Sequence, residues 1–299
     1  MGPVLKGYLQ LTRPANLPTA AADILAGLAI AGLVSSLGQE PSASNLLLDC
    51  LFLICASVLL YAGGVVLNDY FDAEIDRLER PERPIPSGLI KPGSAAFFGF
   101  SLLFLGVVFA FLVGTLSGVI ALVLACSIVL YDAVSNKNVF FGPLNMGICR
   151  GLNLILGISV MGSIAQWKLA IIPLIYIFAI TLISRGEVHG NNRKHLIWAG
   201  ILYAIVVFGV LINVPNQLTD AWQVLPFLGL FAFSVYLPLF RAYRNNSAEL
   251  IRKAVISGVL GLVILDASWA AGFGVWWYGL LVLLLLPLSM ALSKLFAVT

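Results

Sequence analysis

Charged residues are scarce in this sequence of 299 residues. Asp, Glu, Lys and Arg make up 10% of the chain, whereas 60% of it is hydrophobic and the mean hydropathy is +1.00. A soluble domain usually contains about 25% charged residues. Because no water-soluble packing hides so much apolar surface, the composition excludes an ordinary soluble protein and predicts a polytopic membrane protein.

Cysteine and histidine are also rare, with four and two residues respectively, and no CxxC pair occurs. All four cysteines lie in or beside apolar runs, which is typical of small residues in membrane helices. A disulfide framework or a zinc site is therefore not expected. No polar domain interrupts the apolar runs, so we expect residues 1–299 to form one membrane-embedded domain.

Long apolar runs fill most of the chain, and a helix needs about 20 apolar residues to cross the hydrocarbon core. The candidate spans are residues 17–36, 46–68, 94–113, 115–131, 140–162, 169–185, 195–213, 221–240, 251–271 and 274–296. Only Gly-Phe-Gly at 272–274 separates the last two. We therefore predict an all-α transmembrane bundle of nine or ten spans, the first of which is retained rather than cleaved as a signal peptide.

Lys and Arg are distributed unevenly over the loops between these spans. With a cytoplasmic N-terminus, all but two of the 17 basic residues lie at the cytoplasmic side; Lys168 is outside and Arg150 is within a span. The predicted external loops 37–45 and 214–220 contain no Lys or Arg. This pattern follows the positive-inside rule and predicts a multi-pass protein of the inner cell membrane with its N-terminus in the cytoplasm.

Acidic residues are concentrated in LNDYFDAEIDR at 67–77, directly after an apolar run. Asp69, Asp72 and Asp76 stand at i, i+3 and i+7, so a helix would place them on one face, with Asn68 one turn before Asp72. Glu74 would point away. Like charges at this spacing repel, and a divalent cation removes that cost. Carboxylate and amide oxygens suit Mg²⁺, so we predict a magnesium site for a phosphorylated substrate; the alternative is a solvated interfacial face.

Three arginines follow in the proline-rich stretch that begins after this cluster, at Arg77, Arg80 and Arg83. Arg binds phosphate through two parallel hydrogen bonds. We predict a phosphate contact for Arg83 in particular, while ordinary membrane anchoring on the positive side remains the alternative for all three.

The residues NDxxDxxxD at 68–76, followed by RPIPSG at 83–88, resemble the UbiA superfamily of membrane prenyltransferases. Arg13, Pro14 and Asn16, before the first span, also fit this resemblance. It implies a helical bundle in which a prenyl group is transferred from an isoprenoid diphosphate to an aromatic or other lipophilic acceptor with Mg²⁺. The implied partners are a prenyl diphosphate, a lipophilic acceptor and the bilayer, and no nucleic acid.

The second acidic motif of that family is DxxxD, and this sequence departs from it with SRGEVHGN at 184–191. Glu187 and Asn191 stand at i and i+4, so a helix would place both on one face. Both side chains offer oxygen to Mg²⁺, but one charge is lost. Either the second metal binds more weakly, or Arg185 and Lys194 neutralise the diphosphate, or catalysis is reduced or absent. His189, between the two positions, is a candidate base or hydrogen-bond donor.

Two further basic residues are candidates for substrate binding. Lys137 ends the segment YDAVSNK, which begins at Tyr131 and resembles the family's Tyr/Lys segment, in which the Lys helps to bind diphosphate. Arg150 lies inside a predicted span, in GPLNMGICRGLN, and a charge at that depth marks a functional site by default. The alternative for Arg150 is neutralisation by a buried acid such as Asp23 or Asp266. The altered second motif and this segment together resemble a divergent, EboC-type subgroup.

The predicted function is therefore magnesium-dependent prenyl transfer inside a membrane. The catalytic group comprises Asp69, Asp72, Asp76 and Glu187, and the metal ligands are these four residues with Asn68 and Asn191. The predicted substrate-binding residues are Asn68, Arg83, Lys137, Arg150, Arg185, Asn191 and Lys194. A non-catalytic relative that binds or transports a lipophilic metabolite is the main alternative. A CDP-alcohol phosphotransferase is disfavoured because its DGxxAR run is absent.

Overall fold

The computed structural model describes residues 2–36, 43–187, 190–214 and 218–296, and helices account for most of these residues. The α-helices are α1 (Pro3–Leu11), α2 (Leu17–Ile30), α3 (Leu33–Ser36), α4 (Ala43–Phe71), α5 (Ala73–Glu79), α6 (Pro92–Val113), α7 (Thr115–Ala133), α8 (Phe141–Ile158), α9 (Ile171–Ser184), α10 (Arg193–Asn213), α11 (Leu218–Arg244), α12 (Ala248–Phe273), α13 (Trp276–Leu283) and α14 (Leu285–Leu295). Short 3₁₀ helices lie at Pro14–Asn16, Ser135–Lys137, Ser159–Met161 and Trp167–Ala170.

Nine helices within the described ranges are long and apolar enough to cross a membrane. They are Leu46–Phe71, Pro92–Val113, Thr115–Ala133, Phe141–Met161, Trp167–Ser184, Arg193–Asn213, Trp222–Arg244, Ala248–Phe273 and Trp276–Leu295. This confirms the predicted all-α bundle. The protein is an integral, multi-pass membrane protein.

The first predicted span, residues 17–36, differs from the others because it contains α2, a continuous helix of only 14 residues, followed by the short α3. At 1.5 Å per residue α2 is about 21 Å long, less than the hydrocarbon core of about 30 Å. Nearly every residue of α2 is buried. This helix therefore lies inside the protein, between α4, α8 and α12, rather than against lipid.

Two apolar clusters form the interior. One is built mainly from α9, α10, α11 and α12, and the other mainly from α4, α6 and α7. Helices α2 and α8 contribute to both clusters, for example through Ile30 and Leu154 on one side and Ile24 and Leu156 on the other. The central pair α2–α8 therefore joins the two clusters.

The central pair packs with its backbones in close contact at Gly27 and Gly157. A Cβ atom on Gly157 would lie 2.7 Å from the carbonyl oxygen of Ile24 and 2.9 Å from its Cα. Only residues without a side chain allow so close a helix crossing, as is common between membrane helices. This crossing holds Asp23 of α2 beside Arg150 and Asn153 of α8.

Candidate active site at the acidic end of the bundle

The acidic face predicted for residues 68–76 is present in the structure. Helix α4 ends at Phe71 and α5 begins at Ala73, yet the helical hydrogen bonds continue through the junction, from Asp72 N to Asn68 O and from Asp76 N to Asp72 O, both 2.9 Å. Asp69 and Asp76 are 5% and 3% exposed, and Asp72 is half-buried. Glu74 is exposed, as its position in the helix predicts.

Two arginines neutralise the two buried aspartates. Arg13 Nη2 lies 2.5 Å from Asp69 Oδ1, and Arg83 Nη1 lies 3.2 Å from the same oxygen. Arg83 Nη1 also lies 2.6 Å from Asp76 Oδ2. Buried carboxylates need such partners because their desolvation is costly. In the structure the Arg83 guanidinium contacts these two carboxylates. The phosphate contact predicted for Arg83 stays a prediction.

Asp72, between these two ion pairs, has a different environment. Its Oδ1 accepts a hydrogen bond of 3.4 Å from Asn136 Nδ2, and Lys137, which is exposed, acts on it as a nearby positive charge. Burial, followed by the charge of Asp76, raises the pKa of Asp72 above its usual range. Asp72 and Lys137 thus lie near each other in the fold.

The helical spacing predicted for Glu187 and Asn191 is wrong. Helix α9 ends at Ser184, Glu187 lies in a turn, and α10 begins only at Arg193. Gly190 and Asn191 have φ of +67° and +56°, which no helix contains. Glycines on both sides of the motif favour this turn. Val188 and His189 lie outside the described residues, so the role predicted for His189 stays a prediction.

Glu187 nevertheless lies at the same end of the bundle as the acidic face. It is half-buried, and the charges of Arg252 and of Arg80, at the end of α5, act on it. Burial raises the pKa of the Glu187 carboxyl, and the two arginines oppose that shift. The two acidic segments therefore occupy one end of the helices.

The basic residues predicted around the second segment also lie at this end. Arg185 is exposed and donates a hydrogen bond to the carbonyl oxygen of Val139, two residues after Lys137. Asn191 and Lys194 are exposed, and the backbone N–H of Asn191 donates to the carbonyl oxygen of Asn246. The roles of these residues in binding substrate stay predictions.

The structure does not bring the predicted metal ligands together as a ready-made cluster. Among the described residues, no group of three or more Asp, Glu, His or Cys side chains is arranged to hold a metal ion. Asp69 and Asp76 are paired with Arg13 and Arg83, and Asp72 is the aspartate of this face without an ion pair.

Arg150 belongs to a separate buried cluster between α2, α8 and α12. Its Nε lies 2.8 Å from Asp23 Oδ2, and its Nη2 lies 3.9 Å from Asp266 Oδ2 and donates a 2.6 Å hydrogen bond to Thr19 O. Asn153 Nδ2 donates to Asp23 Oδ2 at 2.8 Å. The structure therefore contains the contacts with Asp23 and Asp266 that were the alternative for Arg150. Substrate binding by Arg150 stays a prediction.

Sequence reasoning missed two residues of the site. Asp132 is 2% exposed at the end of α7, with a side-chain hydrogen bond from Asn68 and the charge of Asp72 nearby. Asn136 follows one turn later and contacts Asp72. A signal was present, because the segment YDAVSNK carries an acid at the inner end of a predicted span, where an unpaired charge is costly.

A family model described as the UbiA prenyltransferase family matches residues 25–185, more than half of the chain. The protein belongs to the UbiA family. Its resemblance to that family, inferred from NDxxDxxxD and RPIPSG, is confirmed. The matched region contains α4 to α9 and hence the acidic face, Lys137, Arg150 and the end of α9 at Ser184.

Curated relatives of this UbiA protein include digeranylgeranylglyceryl phosphate synthases. The protein of Methanococcoides burtonii is 36% identical over 168 residues, which cover 56% of this chain and 59% of the relative. That of Saccharolobus solfataricus is 35% identical over 180 residues, which cover 60% of each chain. The alignments thus span about three fifths of the length of these relatives.

Solved structures of UbiA proteins share the fold. A digeranylgeranylglyceryl phosphate synthase superposes with a TM-score of 0.66 at 22% identity, covering 91% of this chain and 99% of the other. A UbiA homologue from Archaeoglobus fulgidus, bound to GPP and Mg²⁺, superposes with a TM-score of 0.61 at 17% identity, covering 93% and 99%. At these identities the likeness shows the fold alone.

Proposed function

We propose that this UbiA protein transfers a prenyl group from an isoprenoid diphosphate to a lipophilic acceptor, with Mg²⁺, at the acidic end of its helical bundle. The observation that carries the proposal is the meeting of Asp72, Lys137, Arg185 and Glu187 at one end of an apolar membrane bundle. That end offers carboxylates for a metal ion and cationic groups for a diphosphate, while the bundle leaves an isoprenoid chain in an apolar environment.

The donor atoms at this end fit a magnesium ion. Carboxylate and amide oxygens are the ligands that Mg²⁺ takes from proteins, together with waters and substrate phosphates. Asp132 Oδ2 and Asn136 Oδ1 are buried and have no hydrogen-bond partner, which is the state expected of atoms that await a ligand. When bound, the ion neutralises a diphosphate and makes it a better leaving group.

The chain's own cations would bind the rest of the diphosphate charge. Lys137 and Arg185 are exposed at the end of the bundle and can reach a ligand in the cytoplasmic aqueous phase. Lys194, in the first turn of α10, adds a third positive charge. Preorganised cations of this kind stabilise charge that develops on the leaving oxygens. Arg13 and Arg83 instead hold Asp69 and Asp76 in place.

The similarity to digeranylgeranylglyceryl phosphate synthases directs the choice of acceptor. Digeranylgeranylglyceryl phosphate carries two geranylgeranyl chains, so a glyceryl phosphate with one such chain is the first acceptor to test here, alongside aromatic lipids. The proposal further places the protein in an inner cell membrane with its acidic end in the cytoplasm, because the basic residues concentrate on that side.

The proposal is tested with purified protein, Mg²⁺ and a set of prenyl diphosphates of different lengths. Each is incubated with lipid extracts and with glyceryl phosphate acceptors, and the products are read by mass spectrometry. We expect a prenylated lipid that disappears with EDTA and in Asp72→Ala, and persists in the control Glu74→Gln, which alters an exposed acid of the same segment. Turnover unaffected by EDTA and by Asp72→Ala would refute the site.

Binding measurements on the same samples distinguish an enzyme from a non-catalytic carrier. Tight binding of a prenyl diphosphate or prenylated lipid without any product, over all acceptors, would favour a carrier that retains the UbiA fold. The altered second acidic segment, with Asn191 where the family pattern has Asp, is the feature that makes this second function worth measuring.

A further inference from the structure

The inner end of α7 contains a buried acid that has no basic partner. Asp132 is 2% exposed, its Oδ2 accepts no hydrogen bond, and no Lys or Arg forms an ion pair with it within the described ranges. A buried carboxylate left in this state is costly unless it is protonated, paired or bound to a metal. Such an atom calls for a specific explanation.

The neighbours of Asp132 are the first residues of the acidic face. Asn68 interacts with it through a side-chain hydrogen bond, and the charges of Asp72 and Asp69 act on it. Arg13 is the nearby cation, but its Nη2 lies 2.5 Å from Asp69 Oδ1 and is thereby engaged. The carboxylates of Asp132 and Asp72 therefore lie near each other, and among the described residues neither Arg13 nor Lys137 forms an ion pair with either of them.

A second unpartnered oxygen lies beside this region. Asn136, on the 3₁₀ helix Ser135–Lys137, donates through Nδ2 to Asp72 Oδ1 at 3.4 Å. Its Oδ1 is buried and has no hydrogen-bond partner. Two segments far apart in sequence thus supply oxygens to one place: Asp72 from the α4–α5 junction, and Asp132 and Asn136 from the end of α7 and the 3₁₀ helix that follows it.

We propose that Asp132 is a ligand of the divalent cation, and that with Asp72 and Asn136 it forms a metal site bridging the α4–α5 junction and the end of α7. The inference rests on the proposed function, which it deepens by adding ligands from α7. Two carboxylates balance one divalent charge, and the amide oxygen of Asn136 is a further donor of the type Mg²⁺ accepts. Cation binding removes both the repulsion between Asp72 and Asp132 and the cost of their burial.

The test measures metal binding without substrate. Mn²⁺ replaces Mg²⁺ as the probe, and its free concentration is followed by electron paramagnetic resonance during titration of the purified full chain. We expect Asp132→Asn to weaken Mn²⁺ binding by roughly tenfold or more, since even partners of ligands change metal affinity by 10–100-fold. Glu74→Gln is the matched control, because it removes one exposed acid from the same region and should leave the affinity unchanged.

A second variant keeps the test decisive if Asp132→Asn is poorly folded. Asn136→Asp adds a carboxylate to the same group of oxygens and should tighten Mn²⁺ binding, because affinity rises with ligand charge. Wild-type affinity in both Asp132→Asn and Asn136→Asp would overturn the assignment of Asp132. If prenyl transfer then remained sensitive to EDTA and to Asp72→Ala, the proposed function would survive that result; a wild-type chain that binds no Mn²⁺ would contradict both.

Discussion

Arg150 Nε lies 2.8 Å from Asp23 Oδ2 in the interior of the bundle, where α8 crosses α2. Both side chains are almost fully buried, and Asp266 of α12 approaches the same guanidinium. Three helices that contribute to different parts of the core are therefore joined by one charged contact. Its removal should affect the stability of the fold before it affects the chemistry at the acidic end.

Asp23→Leu should destabilise the protein by about 3–5 kcal/mol, because the buried charge of Arg150 then has only one acidic partner, Asp266. The double variant Asp23→Leu, Arg150→Met should recover much of that loss, since both charges are then gone. Unfolding in detergent, followed by circular dichroism, measures the effect. Glu249→Gln, which breaks the exposed pair with Lys253, is the control and should not change the midpoint. A double variant less stable than the single one would contradict the assignment.

Arg83→Ala should lower stability by about 3–5 kcal/mol and reduce prenyl transfer, because Asp69 and Asp76 both lose a partner at 3.2 Å or less. Arg77→Ala changes an exposed arginine of the same segment and should have little effect on either. Melting curves and product formation are compared for the two variants. Equal behaviour of both would show that Arg83 is only a surface charge.

Divalent cation binding should weaken as the pH falls. The loss of binding should begin at a higher pH than it would for a site built on an aspartate with an ordinary pKa. Protons compete with the metal for Asp72, and burial raises the pKa of this carboxyl above the usual value of about 3.9. The protonated form thus persists to a higher pH and excludes the cation there. Mn²⁺ affinity measured between pH 4 and pH 8 checks this; an affinity independent of pH over that range would exclude Asp72 as a ligand with a raised pKa.

Gly157→Ala should destabilise the bundle by about 1–3 kcal/mol through overpacking, because the new Cβ would lie 2.7 Å from Ile24 O. Gly229→Ala is the matched control: this glycine lies within α11, and a Cβ there meets nothing within 4 Å. Thermal unfolding in the same detergent compares the two. No loss in Gly157→Ala would mean that the α2–α8 crossing can separate freely.

The proposed cytoplasmic orientation of the acidic end can be tested by chemical labelling. In a variant without the four native cysteines, Ser87→Cys and Ser163→Cys place a thiol at two exposed loop positions, one near the acidic face and one between α8 and α9. A membrane-impermeant maleimide added to intact cells should label position 163 and spare position 87. The reverse pattern would invert the proposed topology.

Local patterns in the sequence were sufficient to predict the acidic face. The spacing of Asp69, Asp72 and Asp76 predicts one helical face with Glu74 outside it, and the structure confirms this because residues three and four apart are neighbours in any α-helix. The same rule failed for Glu187 and Asn191. There the glycines at 186 and 190 favour a turn, and a spacing rule holds only where the helix continues.

The all-helical membrane bundle was determined by the sequence alone, because its low charge and long apolar runs leave the backbone no other way to satisfy its hydrogen bonds in lipid. Tertiary structure alone decided which charges meet. The pairing of Arg13 with Asp69 joins residues 56 positions apart, and Asn136 reaches Asp72 over 64 positions. Such contacts depend on how helices pack against one another, and the local spacing of residues carries no information about which distant side chain arrives at a given face.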